Sequence, residues 1–184
     1  MGFPSFATGE VLTAADMNAV GLWLIKSQTL SGTETTVTSC FNTNFRAYRV
    51  VFSNLTFSAI DLMTLRLVAG STPNQTSNYY SSRLEIRNSD GVITGAGIAG
   101  ASYWAPGTAG FTTASGGTID IYNPFQTVAT AFTSNGVDTR TDGAAARYGG
   151  GFFNATTSFD GLWISNLAGN RTMGGTVSIY GYRN

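Results

Sequence analysis

Histidine is absent from this 184-residue chain, cysteine occurs once, and ionisable side chains are scarce. Without an imidazole, a Ser, Thr or Cys nucleophile has no ready general base, and transition metals lose their commonest ligand. No catalytic, metal-binding or cofactor-binding residue is therefore expected. Cys40 has no partner for an internal disulfide and reads as a small buried hydrophobe rather than a reactive thiol. The ten basic residues are scattered from Lys26 to Arg183, densest at Arg46-Ala-Tyr-Arg49. Phosphate binding needs a concentrated basic surface, so no nucleic-acid partner is expected. No run of 18 apolar residues exists to span a bilayer, and no charged n-region precedes an apolar h-region. The expectation is synthesis in a cytoplasm, without a secretory signal and without membrane insertion.

Asp, Glu, Lys and Arg make up 11% of the chain and cancel to zero net charge. Soluble domains carry roughly 25%. Two explanations compete. Thr, Ser, Asn and Gly can replace charges on a solvated β-rich surface. Alternatively, neighbouring subunits cover much of the surface, where charge would be costly to bury. Zero net charge favours the second, because it removes the repulsion that keeps copies apart.

What is present is mostly strand. Leu22–Leu30, Thr35–Phe41, Arg46–Phe57, Leu62–Val68 and Tyr79–Arg87 are rich in β-branched and aromatic residues or alternate with period two. Further strands are expected at Thr118–Tyr122, Val128–Thr133, Ala145–Phe153, Gly161–Ser165 and Thr176–Tyr182. Turn signals at Ser89-Asp-Gly91, Asn135-Gly136, Thr141-Asp-Gly143 and Asp160-Gly161 separate them. Residues 93–115, rich in Gly and Ala around Tyr103-Trp104, read as a long loop or irregular excursion. The predicted fold class is all-β, an antiparallel jelly-roll-like β-sandwich over residues 23–184. Residues 1–22 form a separate arm. Pro4 keeps its start extended, and Thr13 caps a two-turn helix from Ala14 to about Val20. A helix that short must dock on something.

Three chemical readings deserve weighing. Gly95-Ala-Gly-Ile-Ala-Gly100 matches a dinucleotide fingerprint in letters, but Pro106-Gly107 leaves no room for the helix that would receive a pyrophosphate. Asp138 and Asp142 bracket a segment able to offer oxygen ligands to calcium, or to form a solvated turn. Tyr79, Tyr80 and Trp104 offer flat apolar faces and are candidate glycan contacts, against the alternative of core or interface packing. Trp163 is read the same way.

The segment Ala7-Thr-Gly-Glu-Val-Leu-Thr-Ala-Ala-Asp-Met-Asn-Ala-Val20 resembles the opening motif of many tailed-bacteriophage virion proteins, through Gly9, Leu12, Thr13, Ala14, Ala15 and Asn18. The closing Gly175-Thr-Val-Ser-Ile-Tyr-Gly-Tyr-Arg-Asn184 looks like the final strand of phage appendage proteins. The resemblance implies a virion component. Its apolar arm residues Phe3, Phe6, Val11, Leu12 and Met17 are the candidate assembly contacts, each able to contribute about 1.5–3 kcal/mol on burial against a neighbour. The leading expectation is a non-enzymatic tail-fibre or tail-appendage subunit, a homotrimer whose partners are its own copies, other virion proteins and host-surface glycan. A capsid decoration (cement) protein is the alternative. A glycan-degrading depolymerase using acids such as Asp138, Asp142 or Asp160 is the third reading.

Overall fold

A computed structural model describes residues 21–110, 112–140 and 143–182. Among these residues all regular structure is β, in thirteen strands. They are β1 (Leu22–Thr29), β2 (Glu34–Val37), β3 (Ala47–Phe57), β4 (Asp61–Ala69), β5 (Thr72–Pro73), β6 (Tyr79–Arg87) and β7 (Ile93–Ala101). After these come β8 (Ala109–Gly110), β9 (Ser115–Tyr122), β10 (Thr130–Arg140), β11 (Gly143–Phe153), β12 (Gly161–Asn166) and β13 (Met173–Tyr182). The expected helix from Ala14 to Val20 and the apolar arm lie outside the described residues.

The strands form a sandwich of two antiparallel sheets. The larger has eight strands in the order β1-β13-β3-β9-β10-β11-β6-β7, and the smaller runs β2-β12-β4-β5, with β8 added beside β4. Period-two alternation explains the packing. In β3, Tyr48, Val50 and Phe52 are buried while Ala47, Arg49 and Val51 are less so. Val177 and Ile179 of β13 and Ile119 and Ile121 of β9 continue the same inward face. Met63, Leu65 and Leu67 of β4 and Leu162 and Ile164 of β12 meet them from the small sheet. Transfer of such side chains from water is the main stabilising term, about 1.5–3 kcal/mol each.

Cys40 sits in this core, fully buried, and burial pushes its thiol pKa up to about 12. A thiol that is both inaccessible and protonated does not react. In the native state Cys40 will resist a thiol-specific chromogenic reagent at pH 8, and in denaturant it will react stoichiometrically. Rapid native labelling would contradict the packing around it.

Two expectations are corrected. Residues 93–115 are not one loop, since β7 and β8 lie within them and β7 pairs with β6 from Ile93↔Ile86 to Ala101↔Tyr79. The Asn135-Gly136 signal is not a turn either. β10 runs unbroken through it, because Gly136 stands opposite Gly117 of β9. A Cβ on Gly117 would come within 2.6 Å of the Asn135 carbonyl oxygen and 3.0 Å of the Gly136 Cα. The glycines serve close backbone approach, not reversal. Of the other signals, Ser89-Asp-Gly91 sits in the β6–β7 turn, Thr141 and Asp142 lie outside the described residues, and Gly161 opens β12 rather than reversing the chain. Asp90 accepts a bond from the Val92 N–H in the β6–β7 turn, and β10 and β11 pair out to Arg140↔Gly143.

Candidate assembly face

The large sheet is wider than the small one, and its outer surface faces no other layer among the described residues. Strand register defines what that surface presents. One row crosses the sheet through Leu22, Tyr182, Tyr122, Phe152 and Tyr80, with Ala47 and Ala131 between them. Four residues along the strands, Tyr148 of β11 stands opposite Leu84 of β6. Val137, Ile86 and Ile93 stand two residues beyond that second row. Tyr148 is 52% exposed, Leu84 49% and Phe152 42%. These are large apolar side chains left to solvent.

Between the two rows runs a floor of small residues, Gly150 opposite Ser82 opposite Gly97. Rows four residues apart are separated by about 13 Å. The result is an open trough of about 550 Å³ whose lining includes Ser82, Arg83, Leu84, Gly97, Tyr148 and Gly150. Beside it a second hollow of about 330 Å³ is lined by Tyr80, Ser82, Gly150 and Phe152, the Tyr80 and Phe152 rings stacked at 4.9 Å and 5°.

Charge is nearly absent from the face. Register puts two ionised side chains on it, Arg49 and Asp120, and they neutralise each other. Arg49 Nε and Nη2 each donate to Asp120 at 2.8 Å, and the Tyr182 hydroxyl donates to Asp120 Oδ1 at 2.8 Å. The Arg49 guanidinium, then the Tyr182 hydroxyl, hold the Asp120 carboxyl below the usual carboxylate range against the opposing effect of burial. A depressed folded pKa contributes stability above the unfolded value, near 3.9, which is lost as pH falls through the folded one. The gap in melting temperature between wild type and Asp120→Asn, present at neutral pH, will therefore close as pH drops below about 4. A gap constant from pH 7 to pH 2 would remove the fork's ionic role.

The two long edges of this sheet differ. On the β1 side, Lys26 Nζ donates to the Thr38 carbonyl at 2.7 Å and Gln28 Nε2 to the Thr36 carbonyl at 3.4 Å, clipping the strand toward β2. On the β7 side, Ile-Thr-Gly-Ala-Gly-Ile-Ala-Gly-Ala carries neither charge nor proline. Native edge strands are ordinarily guarded by one or the other.

The residues singled out from sequence disperse. Tyr79 and Trp104 are fully buried, so neither is available to a glycan. Trp104 packs against Tyr79 at 5.4 Å and Phe132 at 4.8 Å, and its Nε1 donates to the Phe152 carbonyl at 3.0 Å. Tyr80 alone of the three reaches the open face. Trp163 is 7% exposed beneath the Arg66 guanidinium, 4.2 Å from its ring centroid. Asp138 lies in no solvated turn. It is fully buried in β10, within 3.0 Å of both Arg147 Nε and Arg147 Nη2, which also meets Glu85 at 2.7 Å. Asp160 accepts a bond from the Gly70 N–H, and Asp142 is outside the described residues. Gly95–Gly100 lies in the edge strand β7, not at a helix start. Among the described residues no group of three or more His, Cys, Asp or Glu is placed to hold a metal. Phe3, Phe6, Val11, Leu12 and Met17 are outside the described residues.

Sequence reasoning missed the face itself. Its signal was alternation in which the outward positions of β6, β10 and β11 carry Tyr, Phe, Leu, Ala and Gly in place of charge. Compared with known proteins, the chain matches no family model, no curated protein and no solved structure.

Proposed function

We propose that this chain is a non-enzymatic structural subunit of a tailed-bacteriophage virion, a tail-fibre or tail-appendage component that works as a homotrimer. One observation carries the reading: a whole sheet face with aromatic and small side chains and no uncompensated charge. Interface cores are depleted in charge and enriched in Tyr and Phe in the same way. The opening motif of residues 7–20 supports the virion setting, and it runs into β1 at the edge of that sheet. The sandwich is read as a jelly roll. In support, β1-β13-β3-β9 and β2-β12-β4-β5 follow the interleaved order of two Greek keys, with β6–β8 and β10–β11 as insertions that widen one sheet.

The test is mass spectrometry and electron microscopy of purified particles carrying either the full chain or one without residues 1–20. The full chain is expected at the tail in fixed stoichiometry, and the shortened chain is expected to be missing from particles. Absence of the full chain from particles would end the proposal. Density on the capsid shell would replace a tail subunit with a decoration protein. Incorporation of the shortened chain at normal levels would remove the arm from the attachment role.

A further inference from the structure

The half of the outer face formed by β10, β11, β6 and β7 is more extreme than the rest. Register puts Ala131, Thr133, Asn135, Val137 and Thr139 outward on β10, and Ala144, Ala146, Tyr148, Gly150 and Phe152 on β11. Tyr80, Ser82, Leu84 and Ile86 follow on β6, then Ile93, Gly95 and Gly97 on β7. None of these is ionisable near neutral pH. Among the described side chains of the same strands, the charged ones, Arg83, Glu85, Arg87, Asp138 and Arg147, alternate to the inner side. Solvent would ordinarily attract charge to the outer positions and the core repel it from the inner ones. Here the pattern is inverted, and the inversion ends at β7, an edge strand that carries neither charge nor proline.

We propose that a second copy of this chain covers this half of the face, with Tyr148 and Leu84 at the centre of the contact. The inference rests on the structural-subunit reading and names the surface that performs it. Three observations favour a second copy as the occupant. The first is area. The four strands, about 4.8 Å apart and running roughly 30 Å, present about 580 Å², and a contact continued onto β9 and β3 of the same face reaches about 860 Å²; a stable interface needs about 800 Å² per partner. The second is charge. A surface without net field selects no charged partner, whereas another copy presents an equally uncharged surface and carries zero net charge, so no long-range repulsion opposes approach. The third is the floor. Gly150, Gly97 and Gly95 let a flat surface approach closely, and the row through the floor offers only the small hydroxyls of Ser82 and Thr133. Sugar hydroxyls placed there would lose water and gain few partners, which disfavours a glycan.

The test is the solution mass of the full chain by light scattering across a concentration series. Three variants join it: Tyr148→Asp, the double variant Tyr148→Asp/Leu84→Asp, and Thr36→Asp, which adds the same charge on the small sheet. Wild type and Thr36→Asp are expected at a multiple of 19.4 kDa. Both face variants are expected to shift toward the single-chain mass, with the dissociation constant raised at least about tenfold, because a carboxylate buried in an uncharged contact has no partner. Circular dichroism reads whether each variant keeps its β signal. Since Tyr148 is half exposed, the single variant should fold even if the double one does not. A wild type that stays at 19.4 kDa at every concentration would overturn the proposal. So would a folded Tyr148→Asp that associates like wild type. Association through this face by a chain missing from particles would sink the virion reading alone. A particle-borne chain indifferent to Tyr148→Asp would sink this one alone.

Discussion

Arg147→Met is expected to destabilise the fold by about 3–5 kcal/mol, the largest effect of any single charged-residue substitution here. Arg147 is 5% exposed and its guanidinium holds both Asp138, which is fully buried, and Glu85. A methionine fills similar space but leaves two carboxylates in a low-dielectric interior without the cation they share. Desolvation of a carboxylate is repaid only by such a partner. Domains of this kind are stable by about 5–15 kcal/mol in total, so the variant will sit near its unfolding midpoint at modest denaturant. Urea titration followed by tryptophan fluorescence measures it. Adding Asp138→Asn to the Arg147→Met background should recover part of the loss, since an uncharged amide costs less to bury. A loss below about 1 kcal/mol for Arg147→Met would mean that water reaches the cluster and that the ion pairs behave as surface ones. No recovery in the double variant would mean that Glu85, not Asp138, dominates the penalty.

Trp104→Ala should cost about 3–5 kcal/mol and leave a large cavity. The indole is wedged between Tyr79 and Phe132, and its Nε1 donor to the Phe152 carbonyl would also go. The backbone bridge from Trp104 to Leu65, with N···O distances of 2.9 and 3.0 Å, is independent of the side chain and should survive. The variant therefore separates packing from strand pairing. Trp104→Phe, which keeps a ring but not the donor, should recover most of the loss. The same pair decides between the two roles considered for this residue. A glycan contact would lose binding without losing stability. Lost stability in both the alanine variant and, more weakly, the phenylalanine variant is the signature of a core residue.

Strand positions were legible from the chain to a useful degree. Tyr79–Arg87 coincides with the expected segment, and Arg46–Phe57 differs from β3 by one residue. Both combine β-branched or aromatic residues with period-two alternation, which is a local property. The failures were non-local. Asn135-Gly136 has turn chemistry, yet its glycine is needed where β9 passes close by, a neighbour that sequence spacing does not reveal. β7 has so little side chain that its strand character comes from pairing with β6 rather than from propensity. For the candidate site, Tyr80 lies on the outer face, whereas Tyr79 and Trp104, read together with it as glycan contacts, are fully buried. Adjacent residues on a strand point to opposite faces, so Tyr79-Tyr80 could never act together.

Residue identity alone settles that the chain is poor in charge, without histidine, and built on alternating strands from β1 onward. Those features follow from composition and from periodicity within single segments. Which of two alternating faces becomes core is a different matter. It depends on which sheet lies opposite, and the insertions β6–β8 and β10–β11 carry the large sheet beyond the small one. The fold thereby turned Arg147, Asp138 and Glu85 inward as a buried ionic cluster and left Tyr148, Leu84 and Phe152 outward. The physical reason is that burial is a property of long-range packing, whereas period-two alternation specifies two faces without saying which one meets water.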